Sequence, residues 1–311
     1  MINHSKSKAL IKAFLIFATA RSCAATAWAV TSRVDFSRSG DSIIIKSNGI
    51  ANHATGAFPN PNNPNRISVQ NHRFVVDATP EKTGRLTAMR GSLFGVAING
   101  VPLDPGAAEW YNDNPRSGWS YDPFRMEGRL GLDANNAHVQ PTGTYHYHGL
   151  PTGLMTEQGS GGHSRLIGLA ADGFPICAQY GYTNRVIAEQ TSSYRIRFGT
   201  RDSGPGGLYD GTFIEDYYYV EGAGSLDACN GKDTVTPEFP NGTYAYFITD
   251  EFPYVPRCWV GTPSKTGFEK QRPNNPGANG QRPPPGGSNG QRPRSGNGNP
   301  PPPGRDGGGR G

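Results

Sequence analysis

The 311-residue chain reads as an all-β or mostly-β protein: a single β-sandwich or barrel-like domain with long loops and a disordered C-terminal tail. Two observations carry that expectation. The apolar runs are short and rich in β-branched and aromatic residues, as in Ser42-Ile43-Ile44-Ile45, Arg73-Phe74-Val75-Val76, Phe94 to Ile98, Arg165 to Leu169 and Tyr194 to Phe198. Gly, Pro, Asn and Asp separate them, which is the punctuation of strands joined by turns. Helical periodicity is scarce, and one short helical turn is expected at Ala107 to Tyr111.

The two ends stand outside that domain. Lys6, Lys8 and Lys12 flank the apolar run Ala9 to Ala20, no acidic residue is present, and Ala27-Trp28-Ala29 has the small-x-small form of a signal-peptidase site. Residues 1–29 are therefore expected to be a removed secretion signal, with a lipid anchor at Cys23 the weaker option, and the mature protein to be secreted or periplasmic. No other segment is long and apolar enough to span a bilayer. From residue 263 onward the chain is Gly, Pro, Asn, Gln and Arg, with Gln-Arg-Pro recurring at 271, 281 and 291. Such a composition buries too little apolar surface to offset its ordering entropy. Residues 263–311 are read as a disordered tail, either a solvated spacer or a basic contact for a cell surface or polyanion, and residues 30–262 as the domain.

Charge excludes one class of function. The leader holds four basic and no acidic residues, and residues 265–311 hold eight basic and two acidic, so the net +5 of the chain leaves residues 30–264 at −5. A mildly acidic domain lacks the basic face that nucleic-acid binding requires. Three cysteines follow the leader. Cys229 and Cys258 lie in turn-rich sequence and are the candidate disulfide of an oxidising compartment, while Cys177 in Phe174-Pro175-Ile176-Cys177 reads as a buried free thiol.

An internal echo separates scaffold from chemistry. Leu132-Asp133-Ala134-Asn135-Asn136 precedes Pro141-Thr142-Gly143-Thr144-Tyr145-His146-Tyr147-His148. Leu226-Asp227-Ala228-Cys229-Asn230 precedes Pro240-Asn241-Gly242-Thr243-Tyr244-Ala245-Tyr246-Phe247, with five extra residues between the parts. A duplicated loop-and-strand unit accounts for both. Gly-Thr-Tyr-x-Tyr is common to the copies and reads as scaffold, and Asp133 and Asp227 read as turn-formers. A fold that takes Ala245 and Phe247 does not need His146 and His148 to make the strand.

On a strand, residues i and i+2 share a face, so His146 and His148 point one way and Tyr145 and Tyr147 the other. Imidazole suits transition metals, copper and zinc among them. His138, eight residues earlier across a turn, and His163, in a Gly-rich loop, are the further candidate ligands. Asp172 is a carboxylate ligand, the orienter of a histidine N–H, or simply the first residue of an Asp172-Gly173 hairpin turn. A hydrogen-bonded histidine pair beside the core, or general acid–base histidines without a metal, are the competing readings. Aromatic residues at Trp119-Ser120-Tyr121 and Tyr217-Tyr218-Tyr219 read as core packing before a binding groove.

Several motifs in order carry a resemblance. They are Phe94 to Val101, Leu132-Asp133, Ala137-His138, Tyr145-His146-Tyr147-His148-Gly149-Leu150-Pro151, Ile167 to Ile176, Leu226 to Gly231 and Phe252 to Cys258. Residues 70–261 thereby resemble the YHYH domain family of exported, mainly bacterial proteins. The resemblance implies the domain and export and supplies no reaction. It also implies a tyrosine where Cys177 stands, in keeping with an unpaired thiol. Three functions remain on these grounds: an exported protein binding a transition metal (copper or zinc), a metal-dependent hydrolytic or oxidative extracellular enzyme, and a non-catalytic extracellular binding module.

Overall fold

The computed structural model describes residues 30–126, 130–155 and 162–270. The expected leader and the Gln-Arg-Pro repeats lie outside the described residues. Seventeen short strands are found among the described residues: β1 (Val34–Ser39), β2 (Ser42–Ser47), β3 (His72–Asp77), β4 (Thr87–Ala88), β5 (Gly95–Ala97), β6 (Pro102–Leu103), β7 (Ala137–Val139), β8 (Tyr145–Tyr147), β9 (Leu166–Ala170), β10 (Pro175–Cys177), β11 (Tyr180–Thr183), β12 (Val186–Glu189), β13 (Tyr194–Ile196), β14 (Tyr217–Tyr219), β15 (Gly231–Thr234), β16 (Thr243–Phe247) and β17 (Cys258–Trp259). The only α-helix among those residues is the four-residue α1 (Thr152–Met155). The mostly-β expectation holds. A closed barrel does not form, because the main sheet ends in two free edges. The helical turn expected at Ala107 to Tyr111 falls later, as 3-10 turns over Tyr111–Asp113 and Pro115–Ser117. Pro115 at the first position of the second turn has φ already set for it.

The main sheet has eight strands in the order β15-β16-β10-β9-β5-β6-β8-β7. Its two halves mirror each other. β5–β6 and β9–β10 are antiparallel hairpins, β8 joins β6 and β16 joins β10 in parallel, and β7 and β15 close the two edges antiparallel. At the centre Gly95 pairs with Ala170 and Ala97 with Gly168. A side chain on Gly95 would meet the Leu169 carbonyl at 2.6 Å, and one on Gly168 the Val96 carbonyl at 2.3 Å, so both glycines are required by the same close approach. The echo therefore reaches further than the loop-and-strand unit. Leu93 to Asp104 (LFGVAINGVPLD) aligns with Leu166 to Cys177 (LIGLAADGFPIC), and the chain holds two copies of a four-stranded half-sheet.

The antiparallel sheet β1-β2-β3 turns Ile45, Phe74 and Val76 into the same core as Phe94, Tyr145, Tyr147, Tyr246 and Trp259. Trp259 stacks on Phe94 and its Nε1–H donates to the Phe94 carbonyl at 3.0 Å. Cys229 and Cys258 form a disulfide that ties the turn before β15 to β17, and Cys177 is free and buried. No helix of the described residues is long and apolar enough to cross a membrane.

The boundary expected after residue 262 is too early. Phe268 is buried against Phe74 with ring centroids 5.1 Å apart, the Leu93 N–H donates to the Phe268 carbonyl at 2.8 Å, and the Val75 N–H donates to Thr266 at 3.2 Å. One phenylalanine in a Gly- and Pro-rich stretch is enough to anchor eight residues, a signal that average composition hides.

Candidate metal centre

The site is built at the β7–β8 edge. The register places His138 opposite His146, and His148 follows β8 by one residue, so the three imidazoles rise from one face. Their ring centroids lie 4.6 Å (His138–His146), 4.8 Å (His138–His148) and 4.7 Å (His146–His148) apart. One ring nitrogen from each falls within 4.8 Å of those of the other two. The tyrosines between them point away. Tyr145 donates to Asp133 at 2.6 Å, and the Tyr147 hydroxyl receives Asn99 at 2.9 Å and meets His53 Nε2 at 2.6 Å.

The local hydrogen bonds decide which ring nitrogen keeps a lone pair. His138 Nδ1 lies 2.7 Å from the Leu130 carbonyl, and His146 Nδ1 lies 3.3 Å from the Thr144 carbonyl. A carbonyl only accepts, so each Nδ1 carries the proton and each Nε2 keeps its lone pair. His148 differs: it is 1% exposed, and neither ring nitrogen has a protein partner. An unpaired buried polar group costs about 1–3 kcal/mol, so such a residue calls for an explanation. Burial holds His146 and His148 well below the usual histidine range, with neighbouring imidazoles adding to the effect. Burial also lowers His138, opposed by its bond to Leu130. All three are neutral at neutral pH, the form that offers lone pairs.

A cleft of about 370 Å³ opens onto this cluster, lined among others by Asn63, Asp104, Glu109, His138, His146 and Lys270. His148, 1% exposed, does not line it. Asp104 is fully buried, accepts the Gly106 N–H at 3.0 Å and pairs with Lys270 at 2.8 Å. Neither Asp104 nor Lys270 stood out in the sequence. The alignment of Leu93 to Asp104 with Leu166 to Cys177 is the signal that isolates Asp104, because its counterpart is Cys177.

Two expected ligands stand elsewhere. His163 packs on Tyr182 and Phe247, with ring centroids 5.4 and 6.3 Å away, and its Nδ1 meets the Ser164 carbonyl at 2.6 Å. Phe247 is the counterpart of His148 in the other half, five strand steps across the sheet, or roughly 24 Å at about 4.8 Å per step. From His163 the chain runs directly into β9 and so into the far half. Asp172 accepts the Tyr246 hydroxyl at 2.6 Å and the Gly261 N–H at 2.9 Å. Its counterpart Asn99 holds Tyr147 at the same place with the donor reversed, its amide donating to the hydroxyl at 2.9 Å, so the Asp172 carboxylate belongs to the repeated scaffold. The turn-former reading of Asp133 and Asp227 holds: each accepts two backbone N–H groups of its own turn and the first tyrosine of its copy.

With the fold and site in view, comparison with known proteins gives one result. A family model described as YHYH protein matches residues 73–261, and the chain belongs to that family. No curated protein and no solved structure matches the chain.

Proposed function

We propose that this protein binds a single transition-metal ion, zinc or copper, through His138, His146 and His148, and that the cleft admits an outside ligand to it. The observation that carries the reading is the trio itself: three neutral imidazoles meet around one point, and one of them is wholly buried with both nitrogens unpartnered. The carbonyls of Leu130 and Thr144 orient two of the rings, the outer support that metal-ligating histidines ordinarily have. Three protein ligands with an accessible side is the arrangement of reactive sites, whereas structural sites close with four. The cleft thus favours a metal-dependent hydrolytic or oxidative enzyme over a purely structural ion and over a binding module without metal. The leader-like sequence and the Cys229–Cys258 disulfide support action outside the cytoplasm.

The test is metal analysis of untagged protein recovered after export, alongside His146→Ala and His148→Ala. One equivalent of zinc or copper, lost in both variants, is the expected result. An absence of stoichiometric metal together with unchanged metal affinity in both variants rejects the reading. An electron paramagnetic resonance signal from the purified protein assigns Cu(II) over zinc.

A further inference from the structure

The duplication supplies an internal control for the whole site. Superposing the two halves by register equates His138 with Lys232, His146 with Ala245, His148 with Phe247 and Asp104 with Cys177. The scaffold positions keep their chemistry: Gly95 and Gly168, Pro102 and Pro175, Asp133 and Asp227, Tyr145 and Tyr244, Tyr147 and Tyr246. All three ligand positions change between the halves, and Asp104 changes with them. In the second half Cys177 pairs directly with Phe247, which by equivalence sets Asp104 beside His148. Direct contacts agree. Leu103 pairs with Tyr147 in parallel, and the Asp104 N–H donates to the Tyr147 carbonyl at 2.8 Å, so Asp104 follows onto the face that His148 takes.

Charge requires a partner at that spot. Three neutral imidazoles compensate none of the charge of a dication. Half-buried Arg257, which donates to the Pro105 carbonyl at 2.6 Å, and cleft-lining Lys270 already place positive charge next to Asp104 and the cluster. A buried ion without a counter-charge is strongly disfavoured. Of the two carboxylates lining the cleft, Glu109 is half-buried and Asp104 is wholly buried. The Asp104 carboxylate pairs with the Lys270 ammonium at 2.8 Å, and the lysine side chain is 26% exposed and lines the cleft.

We propose that Asp104 is the fourth protein ligand of the three-histidine centre and that Lys270 is its placeholder, a built-in cation that holds the carboxylate until a metal ion enters and displaces it. This rests on the three-histidine reading. It adds a carboxylate to the ligand set and makes Lys270 a competitor with the metal; since four protein ligands fill a tetrahedral shell, an outside ligand then reaches the ion from the cleft by a fifth position or by displacing the carboxylate.

The experiment is Co(II) binding to the full-length exported protein, measured in competition with a chelator, for the wild type, Asp104→Asn, Lys270→Met and the double variant. Asp104→Asn is expected to weaken binding about tenfold or more, and Lys270→Met to tighten it about tenfold. In the Asp104→Asn background the lysine change is expected to alter affinity by less than about threefold, because the competitor then has nothing to compete for. Asp104→Asn within about threefold of the wild type, or Lys270→Met that weakens binding, overturns the proposal while the three-histidine reading stands. A wild type that takes up no Co(II) removes both, and His148→Ala in the same assay tells the cases apart. If Asp104→Asn does not fold, judged by circular dichroism, the sign of the Lys270→Met effect still decides.

Discussion

His148→Leu separates the demands of the fold from those of the site. In the metal-free protein both nitrogens of the His148 ring are buried without partners, at a cost of about 1–3 kcal/mol. Leucine has nearly the histidine volume and no polar atom, and a shape-conserving swap costs less than about 1.5 kcal/mol. The other half of the sheet accommodates an apolar residue at the equivalent Phe247. The variant should therefore be more stable than the wild type in chelator, by about 1 kcal/mol, or about 2–4 °C in Tm for a domain of this size. Metal reverses the order. At a free ion concentration 100 times Kd a bound ligand stabilises the wild type by about 2.7 kcal/mol, while the variant gains little. Thermal melts at pH 7.5, with EDTA and then with Zn(II), read both effects in one series. A His148→Leu protein that loses more than about 1 kcal/mol in EDTA would show that the ring is satisfied without metal, and the central argument for the site would go.

Three further outcomes are expected. Tyr246→Phe should cost about 3 kcal/mol by urea denaturation, since it strands the buried Asp172 carboxylate and the Val260 N–H, whereas Tyr147→Phe, with neutral partners, should cost about 1 kcal/mol; equal costs would count against the scaffold role of Asp172. Burial lowers His72 from 6.5 to about 4, so the unfolded chain takes up a proton that the fold refuses. His72 therefore withdraws up to about 3 kcal/mol of stability as pH falls from 6.5 to 4, and His72→Phe should flatten the stability profile over that window; parallel profiles for the two proteins would contradict it. Phe268→Ala should cost about 3 kcal/mol or more, whereas truncation after Lys270 should leave Tm unchanged; a silent Phe268→Ala would put the domain end back near residue 262.

The sequence was most legible where local chemistry and fold agree. The runs around Ile44, Val75, Val96, Leu169 and Arg195 became strands close to where β-branched and aromatic residues predicted them. His138, His146 and His148 were legible because period-2 alternation and a short turn bring them together by local rules alone. His163 was misassigned for the opposite reason: its position depends on which half-sheet β9 enters, a long-range matter on which loop length is silent. Asp172 misled because a buried carboxylate beside a glycine turn looks the same whether it serves a tyrosine hydroxyl or a metal. Asp104 was legible in principle, but only after both hairpins, not just the Tyr-x-Tyr strands, are aligned. Lys270 was hidden in a stretch whose composition resembles the tail that follows it.

The two ends of the sheet face one packing problem and solve it differently. At the β16 end, Cys177, Leu226, Ala245 and Phe247 close into a small apolar cluster, and Lys232 turns aside to Thr183 and Gln190. At the β8 end, three imidazoles and a buried carboxylate occupy the corresponding layer. The apolar solution is the cheaper one, and the same chain demonstrates that its own half-sheet accepts it. Stability alone therefore gives no reason for the β8 end to keep these four polar groups, two of whose buried atoms, both in His148, lack any protein partner. Selection for a bound ligand does give one, because an ion takes the lone pair of one unpaired His148 nitrogen and recovers part of the energy that the fold alone forgoes. The asymmetry between two halves of one sheet thus supports the site proposed at the β7–β8 edge.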